Sequence, residues 1–419
     1  MKAEGKYKVG MLSLGCPRNL VDSEGILGRL SDKGYPVTDL EHADIAIVNT
    51  CAFIEEAKRE SIEAILELAD LKKEGRLKKI IVCGCLAQRY RYELKKELPE
   101  VDAFVGKVSL NHEFNRFALT ARHYAYLKIC EGCVNNCSYC AIPKIKGRFA
   151  SLGQEGVLDK VEAFDNDKIS ELNIIGQDLT GYGLDLFGRS KLPELLREII
   201  KKAKHIGWIR MLYLYPGPVI DELLNIIKDS PQVCRYVDLP IQHINDRILK
   251  IMNRRTTGLE IMKIIEKVRK ALPDAAIRTS LIVGFPSETD REFKELLDFV
   301  KSVKFERLGA FIYSREEGTR AYGFKNQVSR RTKVQRLDAI MSAQRVISEE
   351  LNLRFVGRYM DVLIEGKENG RYLGRSQYDA PEVDGLVYVD SKNELKPGDF
   401  ARVKITDSLE YDLLGEVSG

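Results

Sequence analysis

The chain has 419 residues, of which 44% are apolar and 31% are charged, and its mean hydropathy is −0.24. This composition excludes a disordered chain, a collagen and a simple disulfide scaffold. At ~100–200 residues per domain, the length predicts about three domains. No apolar run approaches the ~20 residues of a membrane span, and the start, MKAEGKYKVG, lacks the apolar core of a signal peptide, so we expect a cytosolic protein.

The net charge of +4 is too small to indicate a nucleic-acid-binding protein, but the charge is unevenly distributed. Residues 351–419 hold 9 Lys and Arg against 13 Asp and Glu, whereas residues 123–350 hold 37 against 30. Three carboxylates of the acidic segment, Asp379, Glu382 and Asp384, lie together in DAPEVDG. They predict docking of a strongly basic protein partner, and the alternative is a solvated acidic surface that contacts nothing.

The first 122 residues alternate apolar strands with amphipathic helices. We expect strands at 8–14, 44–49 and 79–82 and helices at 21–30, 56–73 and 90–98. This alternation is typical of an open parallel α/β sheet with helices on its faces.

From residue 123 the same alternation restarts and continues for six units. Apolar strands are predicted at 125–129, 172–175, 209–214, 237–241, 277–283 and 308–313, with helices at 192–203, 220–228, 260–272 and 290–301 between them. Six units indicate a partial (βα)6 barrel, two units short of a complete barrel. In such folds the chemistry lies at the carboxyl ends of the strands.

After a predicted helix at 333–354 the pattern changes to short strands separated by Gly, Asp, Asn and Pro. Five strands, at 360–364, 372–377, 385–389, 401–405 and 413–417, favour a small antiparallel β-barrel. The predicted domains are therefore 1–122, 123–350 and 351–419.

The nine cysteines give the strongest local signal, in the string KICEGCVNNCSYC. Cys133, Cys137 and Cys140 form a CxxxCxxC triplet directly after the first barrel strand. Three thiolates on one loop can hold three irons of a four-iron cluster and leave the fourth iron open to another ligand. The alternative is a zinc site with Cys130 as the fourth ligand.

Three further cysteines follow the three N-terminal strands: Cys16, Cys51 and Cys85. The carboxyl ends of neighbouring parallel strands lie side by side, so these thiols could converge on one metal centre. The alternative is three buried structural cysteines, which is our interpretation of Cys83 and Cys234.

A CxxxCxxC loop at the head of a six-unit barrel resembles the radical S-adenosylmethionine (SAM) enzymes. The cysteine-bearing N-terminal domain and the small C-terminal barrel are similar to those of the methylthiotransferases, whose tail is called a TRAM domain. The resemblance implies that Cys133, Cys137 and Cys140 bind a 4Fe-4S cluster whose free iron binds SAM. It also implies that Cys16, Cys51 and Cys85 hold a second 4Fe-4S cluster, where the sulfur to be transferred is attached.

Five strings resemble the methylthiotransferases that modify an aspartate of the twelfth small-subunit ribosomal protein: LGCPRNLVDSE (14–24), IGQDLTGYG (175–183), LPIQHINDRILKIMNR (239–254), GAFIYSREEGTRA (309–321) and GRSQYDAPEVDG (374–385). The enzymes that modify a tRNA adenosine generally carry Asn in place of Asp178 and Ser-Gly at the position of His243. The resemblance thus implies methylthiolation of an aspartate β-carbon, with SAM as radical source and methyl donor.

That resemblance also implies a basic ribosomal-protein partner, an electron donor such as flavodoxin or ferredoxin, and no role for tRNA or a membrane. The first alternative is the tRNA adenosine enzyme. An alternative of another class is an iron–sulfur carrier without catalysis, but a carrier would need four protein ligands per cluster and each set here supplies three.

Other site residues follow from the same resemblance. Tyr139 corresponds to the aromatic beside the adenine, Gly176 and Gln177 to positions beside the methionine portion of SAM, and Gly284 to the motif that contacts the adenosine. For Tyr139 the alternative is a core aromatic.

The remaining assignments concern the substrate. Asp178, His243 and Arg315 lie at predicted strand ends and are candidates for orienting the target aspartate, with ordinary packing as the alternative. The chain departs from the family pattern at Arg18, where Lys is usual, and at Ser287, where Gly is usual. The second change affects a predicted turn, because Gly is the residue that tolerates a positive φ.

Overall fold

The structure is a computed structural model that describes residues 7–107 and 116–418. Its strands are β1 (Val9–Ser13), β2 (Ile45–Thr50), β3 (Lys79–Gly84), β4 (Ala103–Phe104), β5 (Tyr124–Lys128), β6 (Cys130–Glu131), β7 (Ala150–Ser151), β8 (Glu171–Ile175), β9 (Trp208–Met211), β10 (Tyr236–Asp238), β11 (Ala276–Val283), β12 (Arg307–Ile312), β13 (Tyr359–Glu368), β14 (Arg371–Ser376), β15 (Val387–Asp390), β16 (Phe400–Ser408) and β17 (Leu413–Val417). Its α-helices are α1 (Pro17–Asp32), α2 (Glu55–Lys73), α3 (Cys85–Glu97), α4 (Ile142–Lys146), α5 (Gln154–Asn166), α6 (Leu184–Phe187), α7 (Leu192–Lys202), α8 (Val219–Asp229), α9 (Asp246–Ile251), α10 (Gly258–Ala271), α11 (Asp290–Val303) and α12 (Arg330–Leu353).

The N-terminal sheet is parallel throughout, in the order β1-β2-β3-β4. Its three predicted strands are present, whereas β4 has only two residues and is too short to give a periodic pattern. α1 begins at Pro17, earlier than predicted, because proline at the first helical position fits a helix start. α3 also begins earlier, at Cys85, and is kinked at Tyr90, where the predicted helix began.

The central domain is the predicted partial barrel of six parallel strands. It consists of the sheets β5-β8-β9 and β10-β11-β12, joined where the Leu214 amide donates to the Asp238 carbonyl across 3.0 Å. The outward side chains are apolar and pack against the surrounding helices. The inward side chains include buried charges and amides, among them Lys128, Asn173 and Arg210. The fold class predicted from the sequence is confirmed, but the polar interior was not predicted.

The C-terminal domain is a closed five-stranded barrel in the order β13-β14-β15-β17-β16. Four of its strand pairs are antiparallel as predicted, and the fifth, β15 with β17, is parallel. Its core contains the buried Val362, Val387, Val403 and Ile405, which alternate with outward residues along their strands.

The acidic cluster of this domain faces the central barrel rather than solvent. Asp379 accepts a hydrogen bond from the Arg307 Nε across 2.9 Å, and its side chain is only 2% exposed. Asp384 accepts from the hydroxyl of Tyr236 across 2.5 Å and is 4% exposed. The expectation that these carboxylates form a docking surface for a basic partner is therefore wrong, because they are already bound by Arg and Tyr side chains of the central barrel.

The third carboxylate of the cluster has the same orientation. Glu382 accepts a hydrogen bond from the hydroxyl of Tyr124 across 2.8 Å, although the residue as a whole is exposed. Tyr124, Tyr236 and Arg307 are each the first residue of a barrel strand. The C-terminal domain thus closes the amino-terminal end of the barrel, opposite to the end where chemistry is expected.

We predict that Asp379→Asn destabilises the protein by about 3–5 kcal/mol, because it removes the carboxylate that pairs directly with the buried Arg307 guanidinium. The matched control is Asp390→Asn, which removes an exposed ion pair with Arg371 and should cost less than about 1 kcal/mol. Chemical denaturation measures both free energies of unfolding. Equal small losses would mean that the buried pair does not stabilise the domain contact.

Ser287 lies in the turn before α11 with a φ of +68°, in the left-handed region that glycine favours. The sequence departure noted at this position therefore falls on a strained residue. We predict that Ser287→Gly raises the free energy of unfolding by about 1 kcal/mol, because a side chain in this conformation costs ~1–2 kcal/mol. Ser287→Ala keeps the Cβ atom and should give no gain in thermal unfolding, and a gain with Ala would show that strain is not the cause.

Candidate functional site

The CxxxCxxC loop follows β6 and is held by α9 and the residues after it. The Ser138 amide donates to the Met252 carbonyl across 2.8 Å, and the Ser138 hydroxyl donates to the Ile251 carbonyl across 2.8 Å. Within the loop, the Cys140 amide donates to the Cys137 carbonyl across 3.1 Å. The loop therefore has one defined backbone shape, which presents its thiols at the carboxyl end of the barrel.

The three thiols of this loop are close enough to influence one another. Burial raises the pKa of Cys133 to about 11 and that of Cys140 to about 12, with contributions from the neighbouring thiols in both cases. The Asn135 amide donates to the Cys133 Sγ across 3.4 Å, and the Arg254 Nη1 lies 3.9 Å from the Cys137 Sγ. A half-buried cation and amide donors directed at sulfur are suited to an anionic iron–sulfur cluster.

The second set of thiols lies at the carboxyl edge of the N-terminal sheet. Cys16 is the N-cap of α1, Cys51 follows β2, and Cys85 is the first residue of α3. Burial, with smaller contributions from Cys51 and Cys16, raises the pKa of Cys85 to about 12 against the opposing charge of Lys146. Gly15, next to Cys16, lies so close to Cys51 that an added Cβ atom would be 2.9 Å from the Cys51 Sγ, and convergence of all three thiols on one metal centre stays a prediction.

Arg18 interacts with both cysteine sets. Its Nη1 donates to the Gly176 carbonyl across 2.9 Å, and its guanidinium lies 4.4 Å from the centre of the Tyr213 ring. Burial would raise the pKa of Cys16, but the charge and hydrogen bond of Arg18 outweigh it and lower that pKa. The same guanidinium acts to lower the pKa of Cys140, although burial keeps that pKa high overall.

A buried ring of alternating charges attaches α1 to the barrel beside this site. Lys128 pairs with Asp22 and, across 2.6 Å, with Glu131. Lys146 lies 3.1 Å from Asp22 and 3.1 Å from Glu131, so each charge has two partners of opposite sign. Because Asp22 belongs to α1 and the other three belong to the barrel, the ring holds the two domains together.

The described cysteines do not form a site for a single metal ion. Across residues 7–107 and 116–418, no group of three His, Cys, Asp or Glu side chains could hold one metal ion. A cluster binds its thiolates through different irons, so the thiolates are further apart than the ligands of one ion. Cys130, the proposed fourth zinc ligand, is fully buried and directs its thiol toward the Asp178 carbonyl, 3.8 Å away. The zinc alternative is therefore disfavoured.

The two glycines predicted to line the cofactor make room for side chains of the protein. A Cβ atom on Gly176 would lie 2.4 Å from the Cys130 Sγ. Gly284 has a φ of +70°, and a Cβ there would lie 2.3 Å from the Lys333 Cγ. Tyr139 packs edge-on against Phe285, with the ring centres 6.4 Å apart. These contacts account for the three residues as packing, and their cofactor roles stay predictions.

Gln177 contacts β6, directly before the CxxxCxxC loop, and Asp178 contacts the loop itself. The Gln177 Nε2 donates to Glu131 across 3.2 Å. Asp178 is buried, and its carboxylate accepts from the Asn135 amide group across 2.6 Å and from the Thr180 hydroxyl across 2.6 Å. Asp178 thus holds Asn135, whose side chain and amide both point at the Cys133 sulfur.

The other two predicted substrate residues, His243 and Arg315, each make contacts of their own. His243 is fully buried, its Nδ1 accepts from the Asn245 amide across 3.0 Å, and burial lowers its pKa to about 3. The charges that act on His243 come from α9, α11 and α12: Arg247, Glu292 and Arg336. Arg315 is exposed and lies 4.6 Å from the centre of the Tyr322 ring. No hydrogen bond or ion pair joins Asp178, His243 and Arg315 to one another in the described residues, and their common role toward the substrate stays a prediction.

Several residues of the site were missed by sequence reasoning. Lys128 stands in the otherwise apolar strand YAYLK, and a lysine at such a position is a signal of a buried ion pair. Asp22, Lys146 and Arg254 carry no comparable signal, because each stands among other polar residues.

Three family models match the chain. They are the Radical SAM superfamily over residues 127–300, the uncharacterized protein family UPF0004 over residues 8–106, and the TRAM domain over residues 356–417. Curated relatives match along the whole length. The chain is 47% identical over 438 residues to the ribosomal protein uS12 methylthiotransferase RimO of Clostridioides difficile (strain 630), with 98% of each chain covered. It is 47% identical over 448 residues to the RimO protein of Citrifermentans bemidjiense, with 100% of each covered.

The chain belongs to the uS12 methylthiotransferase family. It is therefore a radical SAM methylthiotransferase, as the motifs predicted. Membership of this family accounts for the fold class, and the radical SAM superfamily implies an iron–sulfur cluster and SAM as cofactors. No helix in the described part of the chain is long and apolar enough to cross a membrane.

Solved structures support the same fold at low identity. The radical SAM methyltransferase TsrM from Kitasatospora setae, with tryptophan and a SAM analogue bound, has a TM-score of 0.55 and 13% identity over 82% of this chain and 89% of its own. The cobalamin-dependent radical SAM enzyme OxsB has a TM-score of 0.51 and 12% identity over 82% of this chain and 56% of its own. At these identities the similarity concerns the fold alone.

Proposed function

We propose that the chain attaches a methylthio group to the β-carbon of an aspartate in ribosomal protein uS12, with two 4Fe-4S clusters and with SAM as radical source and methyl donor. The observation that carries the proposal is the placement of two separate sets of three cysteines on two domains held together by the buried charge ring. The relatives named as uS12 methylthiotransferases support the substrate.

Each cysteine set is assigned one cluster. Cys133, Cys137 and Cys140 would hold the cluster that binds SAM, and Cys16, Cys51 and Cys85 would hold the second cluster. When bound, these groups supply the one-electron chemistry that activates an unreactive C–H bond, together with the sulfur and methyl to be transferred.

The protein's own residues orient and shield this chemistry. Arg254 and Asn135 place donors beside the sulfurs of the barrel loop, and Arg18 places a positive charge that acts on both cysteine sets. The N-terminal domain lies over the carboxyl end of the barrel, and a covered site excludes water, which would intercept a reactive species.

Four of the remaining site residues keep their proposed roles, and the roles of three others change. Tyr139, Gly176, Gln177 and Gly284 are proposed to line the SAM site. Asp178 acts through Asn135 on Cys133 and is a positioning residue in this proposal. For His243 and Arg315, the contacts with Asn245 and Tyr322 favour packing over direct contact with the target aspartate.

Partners and domain limits are part of the proposal. The substrate is a basic ribosomal protein, which would place the reaction in the cytoplasm, and the electron donor is a flavodoxin or ferredoxin. The boundaries 1–122, 123–350 and 351–419 are part of the proposal, and three hydrophobic cores that are each drawn mainly from one of these segments support them. A tRNA adenosine remains the second candidate substrate, because the chain carries a TRAM domain.

The cluster assignment predicts about eight irons per chain after anaerobic reconstitution, about four per cluster. Replacing Cys133, Cys137 and Cys140 with Ala should halve the iron and abolish reductive SAM cleavage. Replacing Cys16, Cys51 and Cys85 should also halve the iron but retain SAM cleavage and abolish the methylthio product. Cys130→Ala is the control and should keep all the iron, since its thiol faces the Asp178 carbonyl. Full iron in either triple variant would refute its cluster.

The substrate assignment predicts a mass increase on uS12, at one aspartate, in cells that contain the gene and not in cells that lack it. Mass spectrometry of uS12 and of tRNA nucleosides from the same cells measures both candidates. Loss of a methylthio adenosine with unchanged uS12 would assign the chain to the tRNA enzymes instead.

A further inference from the structure

The motif GAFIYSREEGTRA contains Arg315, but its most buried charged side chain is that of the next residue, Glu316. Glu316 follows β12, and its side chain is 2% exposed. It pairs with Arg89 of α3 across 2.7 Å and with Lys58 of α2 across 3.2 Å, and it accepts from the Ser314 hydroxyl across 2.7 Å. Glu316 therefore attaches the N-terminal domain to the last strand of the barrel, far along the sheet from the charge ring at β5.

Arg89 extends this contact to a cysteine of the N-terminal domain. Its Nη1 also donates to the Ala52 carbonyl across 2.8 Å, next to Cys51. Its Nη2 donates to the Glu317 carbonyl across 2.6 Å, and the arginine side chain is only 9% exposed. One guanidinium thus holds the backbone beside Cys51 and two consecutive residues of the loop after β12.

The same loop reaches the cysteines of the barrel. The Thr319 amide donates to the Glu316 carbonyl across 3.2 Å, and the Ala321 amide donates to the Ser138 carbonyl across 2.8 Å. Ser138 stands between Cys137 and Cys140. A continuous path of hydrogen bonds and six loop residues therefore connects the backbone at Cys51 with the backbone of the CxxxCxxC loop.

We propose that Glu316 and Arg89 are positioning residues that set the separation between the segment carrying Cys51 and the loop carrying Cys137 and Cys140. The proposal rests on the proposed function, in which sulfur held by one cysteine set is transferred to a substrate carbon that is activated at the other cysteine set. Errors of about 1 Å in such an arrangement reduce rates ~100-fold, so a rigid link between the two segments has a direct effect on transfer.

Three variants separate positioning from charge and from general stability. Glu316→Gln keeps the shape and removes the charge. Arg89→Lys keeps the charge but cannot hold three acceptors in the planar arrangement of a guanidinium. The matched control is Glu317→Gln, since the Glu317 side chain is exposed and only its backbone carbonyl is used.

The first measurement is hydrogen exchange of the cluster-free protein, followed by mass spectrometry. In Glu316→Gln and Arg89→Lys, we expect exchange in peptides that cover residues 51–55 and 136–141 to accelerate on the order of tenfold. Glu317→Gln should exchange at the wild-type rate. Unchanged exchange in both test variants would overturn the proposal.

The second measurement is the yield of methylthiolated uS12 per SAM cleaved by reconstituted enzyme. We expect this ratio to fall on the order of tenfold in both test variants, because SAM is consumed without sulfur transfer when the two segments are misaligned. A ratio equal to that of Glu317→Gln would overturn the positioning role even if exchange were faster. If Glu316→Gln does not fold, Ser314→Ala removes the hydrogen bond to Glu316 and also the one that its hydroxyl accepts from the Glu55 amide across 3.2 Å. For this variant the exchange of residues 136–141 is the readout, and it should accelerate while the methylthiolation ratio falls.

Wild-type enzyme that gives no methylthiolated uS12 would refute the proposed function instead. The exchange measurement would then decide by itself whether Glu316 and Arg89 link the two cysteine segments.

Discussion

The charge ring of Asp22, Lys128, Glu131 and Lys146 is the interaction on which the site depends. Burying four charges is costly, and it is tolerated here because every charge lies between two charges of opposite sign. Burial disfavours the ionised form of Glu131, but Lys128 and Lys146 outweigh burial and hold its pKa at about 2. Such a ring is directional, because its charges pair only in one alignment of α1 on the barrel.

The same principle applies at the other end of the barrel, where the C-terminal domain docks. Glu171, at the start of β8, accepts from Arg210 across 2.9 Å and from Arg375 of the C-terminal barrel across 2.5 Å. All three side chains are at most 1% exposed. A barrel of six strands leaves a wide interior, and polar side chains fill it at one end while the mouth at the other end stays available for chemistry.

The charge ring and the Glu316 contacts together hold the N-terminal domain over the mouth of the barrel, with one attachment at each side of the open barrel. The charge ring lies at β5 and the Glu316 contacts lie at β12, so rocking of the domain about either one is opposed by the other. Between them lies Arg18, which acts on Cys16 and on Cys140. Two sets of cysteines on separate domains can act on one substrate only if their separation is fixed, and buried ion pairs with defined geometry provide that constraint.

The amino-acid sequence by itself determined the fold class, the order of its three parts along the chain and the position of six cysteines directly after predicted strands. Apolar periodicity and the CxxxCxxC spacing are local properties, so they can be read without the fold. The contacts of Asp379, Asp384 and Glu316 were decided only by the tertiary structure. In the sequence, the carboxylates of DAPEVDG and YSREEG cannot be distinguished from solvent-exposed ones. Only the fold brings a distant Arg or Tyr side chain into contact with them. Which charges are buried depends on pairs separated by up to a few hundred residues, and no local pattern contains that information.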